Sequence, residues 1–155
     1  MPSPAISPVP AVEGPAGTAR TWTIELPPGT PIISGNNRLD RYAKNRRTQE
    51  LKDKAGAIAR CRVQIPPLRR ADITVTYLSP PRLRRLRHPL ASDAISDSDN
   101  LAPTGKALVD GIVACGIFPS DSKRYVRRVT YELAEETHPR GLLRVHITEA
   151  PGGAP

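Results

Sequence analysis

Asp72-Ile73-Thr74-Val75-Thr76-Tyr77 alternates polar and apolar side chains and runs out at Pro80-Pro81. Residues two apart share one side of an extended chain, so Ile73, Val75 and Tyr77 define a strand that buries one face. Towards the N-terminus, Pro66-Pro67 separates this strand from residues 42–61, where Leu51, Ala55, Ile58 and Ala59 recur at helical spacing. Lys44, Arg46, Arg47, Lys52 and Lys54 fill much of the remainder, which predicts an amphipathic helix with a basic outer face. A loop over residues 31–37 precedes it, and Trp22-Thr23-Ile24-Glu25-Leu26 alternates as a first strand, closed by Pro27-Pro28. Towards the C-terminus, Pro103 suits a first helical turn, Leu108, Ile112 and Cys115 fall on one face, and Gly116 suits the position past the end, giving a helix over 103–115. Val129, Tyr131 and Leu133, then Leu143, Val145 and Ile147, alternate as two last strands. The link through Thr137-His138-Pro139-Arg140-Gly141 is short enough to predict a hairpin between them. Strand, helix, strand, helix, strand, strand is the order of an α/β (α+β) domain: a small mixed four-stranded sheet with two main helices packed on it.

The chain has 155 residues, one domain's worth. Hydrophobic residues make up 38% and aromatics 4%, against 18 prolines and 11 glycines, so the expected core is small and aliphatic. Residues 1–19 hold five prolines and one charge and read as a disordered tail; residues 20–150 form the domain, and 151–155 a frayed end. No apolar run approaches the roughly 20 residues that span a bilayer, and no basic stretch precedes an apolar block at the start, so the expectation is a soluble cytoplasmic protein without a membrane partner. Cys61 and Cys115 lie far apart without metal-ligand spacing and are expected to be small buried hydrophobes.

The net charge of +8 is unevenly spread. Residues 20–88 hold 16 basic and 5 acidic side chains (+11), whereas residues 89–155 hold 7 basic and 9 acidic (−2). A field of that size suits a polyanion or a well-solvated surface. Arg82, Arg84, Arg85 and Arg87 form a basic segment without a period, and together with Arg38, Arg46 and Arg47 they are candidate phosphate contacts on DNA. Low aromatic content in the strands argues against a base-stacking RNA module.

Beside the basic half stands Asp97-Ser98-Asp99-Asn100-Leu101, followed by Lys106, Asp110, Gly116 and Asp121. In an extended segment Asp97 and Asp99 project to the same side, just ahead of a helix. Carboxylates there serve either as capping and dipole groups or as ligands to a hard cation. Mg²⁺ prefers oxygen ligands and relieves the repulsion between them, Asp121 can return as a third ligand, and Lys106 can stabilise negative charge on a phosphate. Acidic residues beside a strongly basic surface are what a metal-dependent nuclease needs. Asp110, on the side of that helix away from Leu108, is expected to pair with a basic neighbour.

This pattern resembles the signature of the RusA-type Holliday junction resolvases, which runs Asp-x-Asp-Asn-Leu, a Lys ahead of an Asp on a helix, a Gly at its end and an Asp pair shortly after. The likeness is close over residues 97–121 and loose over 21–149, where Asn36-Asn37-Arg38 follows the first strand as an Asn-Arg pair often does in that family. The resemblance implies that Asp97, Asp99 and Asp121 bind Mg²⁺, that Lys106 is the catalytic lysine and that Asn100 supports the site. Three departures stand out: Ala102-Pro103-Thr104 reads as an insertion between Leu101 and Lys106, Ser120 replaces the first Asp of the pair, and Ser96 stands where a basic residue is usual. The implied function is a Mg²⁺-dependent, structure-selective endodeoxyribonuclease of bacterial or phage origin. It would resolve four-way junctions by paired nicks in DNA recombination and repair, as a homodimer with one active centre per chain. A non-catalytic DNA-binding protein derived from such a nuclease is the alternative.

Overall fold

In the computed structural model, which describes residues 19–35, 38–81 and 98–151, the strand read from residues 72–77 is β2, Ala71–Leu78. It lies inside a four-stranded sheet with β1 (Thr21–Glu25), β3 (Val126–Leu133) and β4 (Leu142–Glu149), in the order β1-β4-β2-β3. β4 is antiparallel to both β1 and β2, and β3 runs parallel to β2 at the edge. The mixed sheet and its two packed helices form a single α/β domain. Ile24, Ile73, Val75, Val145 and Ile147 are fully buried, as the alternation requires. The polar set of the same strands includes Thr23 and His146, whose Oγ1 and Nδ1 are 3.0 Å apart.

α1, Arg41–Ala57, starts at Asp40, whose Oδ1 accepts the Ala43 N–H at 2.9 Å, and passes into a π-helical turn over Ile58–Arg62. Leu51, Ala55, Ile58 and Ala59 are buried while Arg41, Lys44, Arg46 and Arg60 are exposed, so the basic outer face is present. α2, Ala102–Ala114, is entered through a 3₁₀ turn, Ser98–Leu101, carries Pro103 in its first turn, and is followed by Gly116 at φ +95°. The two helices cross almost backbone to backbone. A Cβ on Gly111 would stand 2.8 Å from Lys52 Cα, and one on Gly56 would stand 3.0 Å from the Gly111 carbonyl oxygen.

Three expectations are corrected. β3 and β4 do not form a hairpin, because β2 lies between them. The link between β3 and β4 passes over the end of β2 instead, with the Ala134 and His138 N–H groups donating to the Tyr77 and Ser79 carbonyls. Composition explains the choice: Arg127, Arg128 and Glu132 suit an exposed edge, whereas β4 alternates buried aliphatics and takes a central place. Cys61 is exposed, not buried, since the π turn rotates it outward; Cys115 is half-buried, and both are free thiols. Ser98–Leu101 is a 3₁₀ turn, not an extended segment, so the same-side argument for residues two apart does not apply at Asp99.

Residues 1–18, Asn36, Asn37, residues 82–97 and residues 152–155 lie outside the described residues, and with them Asp97, Arg82, Arg84, Arg85 and Arg87. No helix among the described residues is long and apolar enough to cross a membrane.

Candidate functional site

Thr104, which the sequence places in an apparent insertion, holds the site's framework together. It is fully buried, its hydroxyl donates to the Ile33 carbonyl at 2.8 Å, and it accepts the Ile33 N–H at 2.8 Å. The loop after β1 is thereby fastened to the first turn of α2. The Gly35 N–H donates to the Asn100 carbonyl at 3.1 Å, and Arg47 of α1 donates from Nη1 to the Ile32 carbonyl at 2.9 Å. These bonds set the chain leading to Arg38 against the turn that carries Asp99 and Asn100.

One helical turn further, Lys106 projects from α2 between two carboxylates. Its Nζ lies 3.5 Å from Asp110 Oδ1 and 3.6 Å from Asp121 Oδ2, while Asp110 Oδ2 lies 3.6 Å from Lys52 Nζ. Asp110 pairs with basic neighbours as expected, and the Gly56–Gly111 crossing brings Lys52 within reach. Side-chain exposure is 69% for Lys106, 55% for Asp121 and 26% for Asp110, so a phosphate can reach the lysine and Asp121 directly. The Asp110 charge, then its hydrogen bond and the Asp121 carboxylate, raise the Lys106 pKa against the opposing effect of burial. Lys106 is therefore a fixed cation at neutral pH: it can stabilise negative charge but cannot serve as a general base.

Between α2 and β3 an open-sided groove of about 290 Å³ adjoins this cluster. Val109, Val126, Val129 and Tyr131 supply its apolar part, and Lys123, Arg127 and Arg128 its basic rim beyond Lys106. The β2–β3 register skips Arg127, pairing Ala71 with Val126 and Asp72 with Arg128, and Arg127 turns to hold the Asp72 carboxylate through Nε and Nη2. Gly105 lets α2 lie directly against the Tyr131 ring, where any Cβ would collide. Burial raises the Tyr131 phenol pKa, with Lys106 pulling the other way, so the ring stays neutral at physiological pH.

Of the residues singled out from the sequence, Lys106 and Asp121 come together across fifteen positions, and Asp99 and Asn100 sit in the turn at the head of the same helix. Arg38 and Arg46 are exposed, and Arg47 is partly committed to the Ile32 carbonyl. Sequence reasoning missed the groove, Lys123, Arg128 and Tyr131, whose proximity to α2 depends on the parallel β2–β3 pairing. It also missed Tyr42, 82% exposed in the first turn of the basic helix.

Asp99 and Asp121 are exposed oxygen donors of the kind a hard cation takes. Among the described residues, no three His, Cys, Asp or Glu side chains gather into a group able to hold a metal ion; the third candidate ligand, Asp97, is not among them. Compared with known proteins, the chain matches no protein-family model and no curated protein.

Proposed function

We propose that this chain is a Mg²⁺-dependent, structure-selective endodeoxyribonuclease that resolves four-way DNA junctions, as its likeness to the RusA-type resolvases implies. The observation that carries the reading is the meeting of Lys106 with Asp121 at 3.6 Å, on the helix entered through the turn bearing Asp99 and among the exposed basic residues Lys123, Arg127 and Arg128. Asp97, Asp99 and Asp121 would hold the ion, which when bound supplies neutralising charge at the scissile phosphate and acidifies water. Lys106 steadies the charge that develops on the phosphate, and Asp110 keeps its ammonium group protonated and aimed. Arg38 and Arg46, with Arg82, Arg84, Arg85 and Arg87, hold flanking phosphates. Asn100 ties the acidic turn to the loop that leads to Arg38.

Paired nicking requires two centres, and a two-fold dimer supplies one to each of two opposed strands. A second reading, a DNA-binding protein without cleavage, rests on Ser120, whose hydroxyl lies 3.1 Å from that of Ser122 where the family has a carboxylate. A synthetic four-way junction incubated with the protein in Mg²⁺ and in EDTA separates the two. Symmetric nicks in Mg²⁺ alone, from a species sedimenting as a dimer, are the expected result; binding without nicks in either condition favours the second reading.

A further inference from the structure

We propose that the groove between α2 and β3 is a binding site for a single unpaired nucleotide of a DNA strand, its base on Tyr131 and its phosphate on Lys123 and Arg128. Its size suits one nucleotide: about 290 Å³ is at the lower end of small-molecule pockets. The lining is split by chemistry in the way a nucleotide is. Val129 and the neutral Tyr131 ring, backed by the buried Val109 and Val126, offer a base an apolar bed, since every base has a face that stacks on an aromatic ring. The α2 backbone at Gly105 abuts the edge of the ring at Cε1, which limits the ring's movement at the side of the groove.

At the rim the cations are unequal. Lys106 is shared by Asp110 and Asp121, and Arg127 is bound to Asp72. Lys123 and Arg128 are exposed and form no salt bridge among the described residues; Arg128 stands across from Asp72 and acts on it only through space, so both cations can take a ligand phosphate. Lys106 and Asp121 line the same groove, so its occupant lies next to the candidate catalytic centre. That adjacency gives the site its role, the capture of a nucleotide unstacked beside the cleaved phosphate, and this role rests on the proposed nuclease function. Binding itself does not.

The test uses the full chain in EDTA and two duplexes containing 2-aminopurine, one with the fluorophore extrahelical and one with it paired. Wild type is expected to quench the extrahelical probe and leave the paired one unchanged. Tyr131→Leu should abolish the quenching and Tyr131→Phe should retain it, which separates stacking from a structural role of the side chain. Lys123→Ala with Arg128→Ala, both at exposed positions, should weaken binding of the extrahelical duplex about tenfold and lower its log K–log salt slope by about 0.9, the value for one phosphate no longer neutralised. Equal quenching by wild type and a folded Tyr131→Leu, equal signals from both duplexes, or an unchanged salt slope would overturn the proposal. Cleavage is read separately in Mg²⁺: its absence there with intact quenching in EDTA rejects the nuclease reading alone, and cleavage in Mg²⁺ without quenching in EDTA rejects the groove alone.

Discussion

Asp110 is the carboxylate that the two helices share, 3.6 Å from Lys52 and 3.5 Å from Lys106. Its charge is the leading influence that raises the Lys106 pKa, so its removal lets that pKa fall. In Asp110→Asn, cleavage of a junction should slow by about ten- to a hundredfold, the scale of a misplaced catalytic group, while junction affinity is not weakened. The alkaline limb of its pH–rate profile should also move to lower pH, because activity needs the charged lysine. Asp72 gives a second residue-scale expectation. The Arg127 hydrogen bond holds its pKa below the ordinary carboxylate value of about 3.9. A lowered folded-state pKa stabilises the fold fully above that ordinary value and ceases to do so as pH falls through the lowered one. Urea unfolding should therefore find Asp72→Asn less stable by under about 1 kcal/mol at pH 7, with the difference vanishing in strong acid.

At the scale of elements, α2 is the most legible part of the sequence and the strand pairing the least. Pro103 and Gly116 bracket α2 by local chemistry, backbone angles that those two residues favour, and the helix runs Ala102–Ala114. The expected hairpin fails because a short link is compatible with pairing yet does not require it; long-range burial settles the competition between β2 and β3 for the edge of β4. The Lys106–Asp121 meeting is legible through the motif, whereas Thr104 reads as part of an insertion when its hydroxyl is the clamp on Ile33. Thr104→Val leaves the Ile33 N–H and carbonyl without that partner in a buried place, a loss of about 1–3 kcal/mol in denaturant unfolding. Gly111→Ala pushes a methyl into the Lys52 backbone and should be at least as harmful, about 1–3 kcal/mol for overpacking. Either variant reaching wild-type stability would mean that the helix crossing, or the loop clamp, is looser than described.

For the whole molecule, charge segregation is readable by position, +11 over residues 20–88 against −2 beyond, but its arrangement around Lys106 is not. That arrangement follows from the parallel crossover from β2 through α2 to β3, which lays Lys123, Arg127 and Arg128 from the acidic half of the chain beside Lys106. Junction affinity should accordingly fall steeply with salt. Replacing Arg82, Arg84, Arg85 and Arg87 together by Ala should flatten the log K–log salt slope by roughly 0.9 for each phosphate that these arginines neutralise. The central claim is that Asp99 and Asp121 serve metal-dependent cleavage in a protein whose basic surface binds DNA independently. Its most direct measurement compares wild type, Asp99→Asn and Asp121→Asn for nicking of a four-way junction in Mg²⁺ and for binding of the same junction in EDTA. The account predicts that both variants lose nicking and bind at least as tightly as wild type, since each sheds a charge that repels phosphate; undiminished nicking by either one contradicts it.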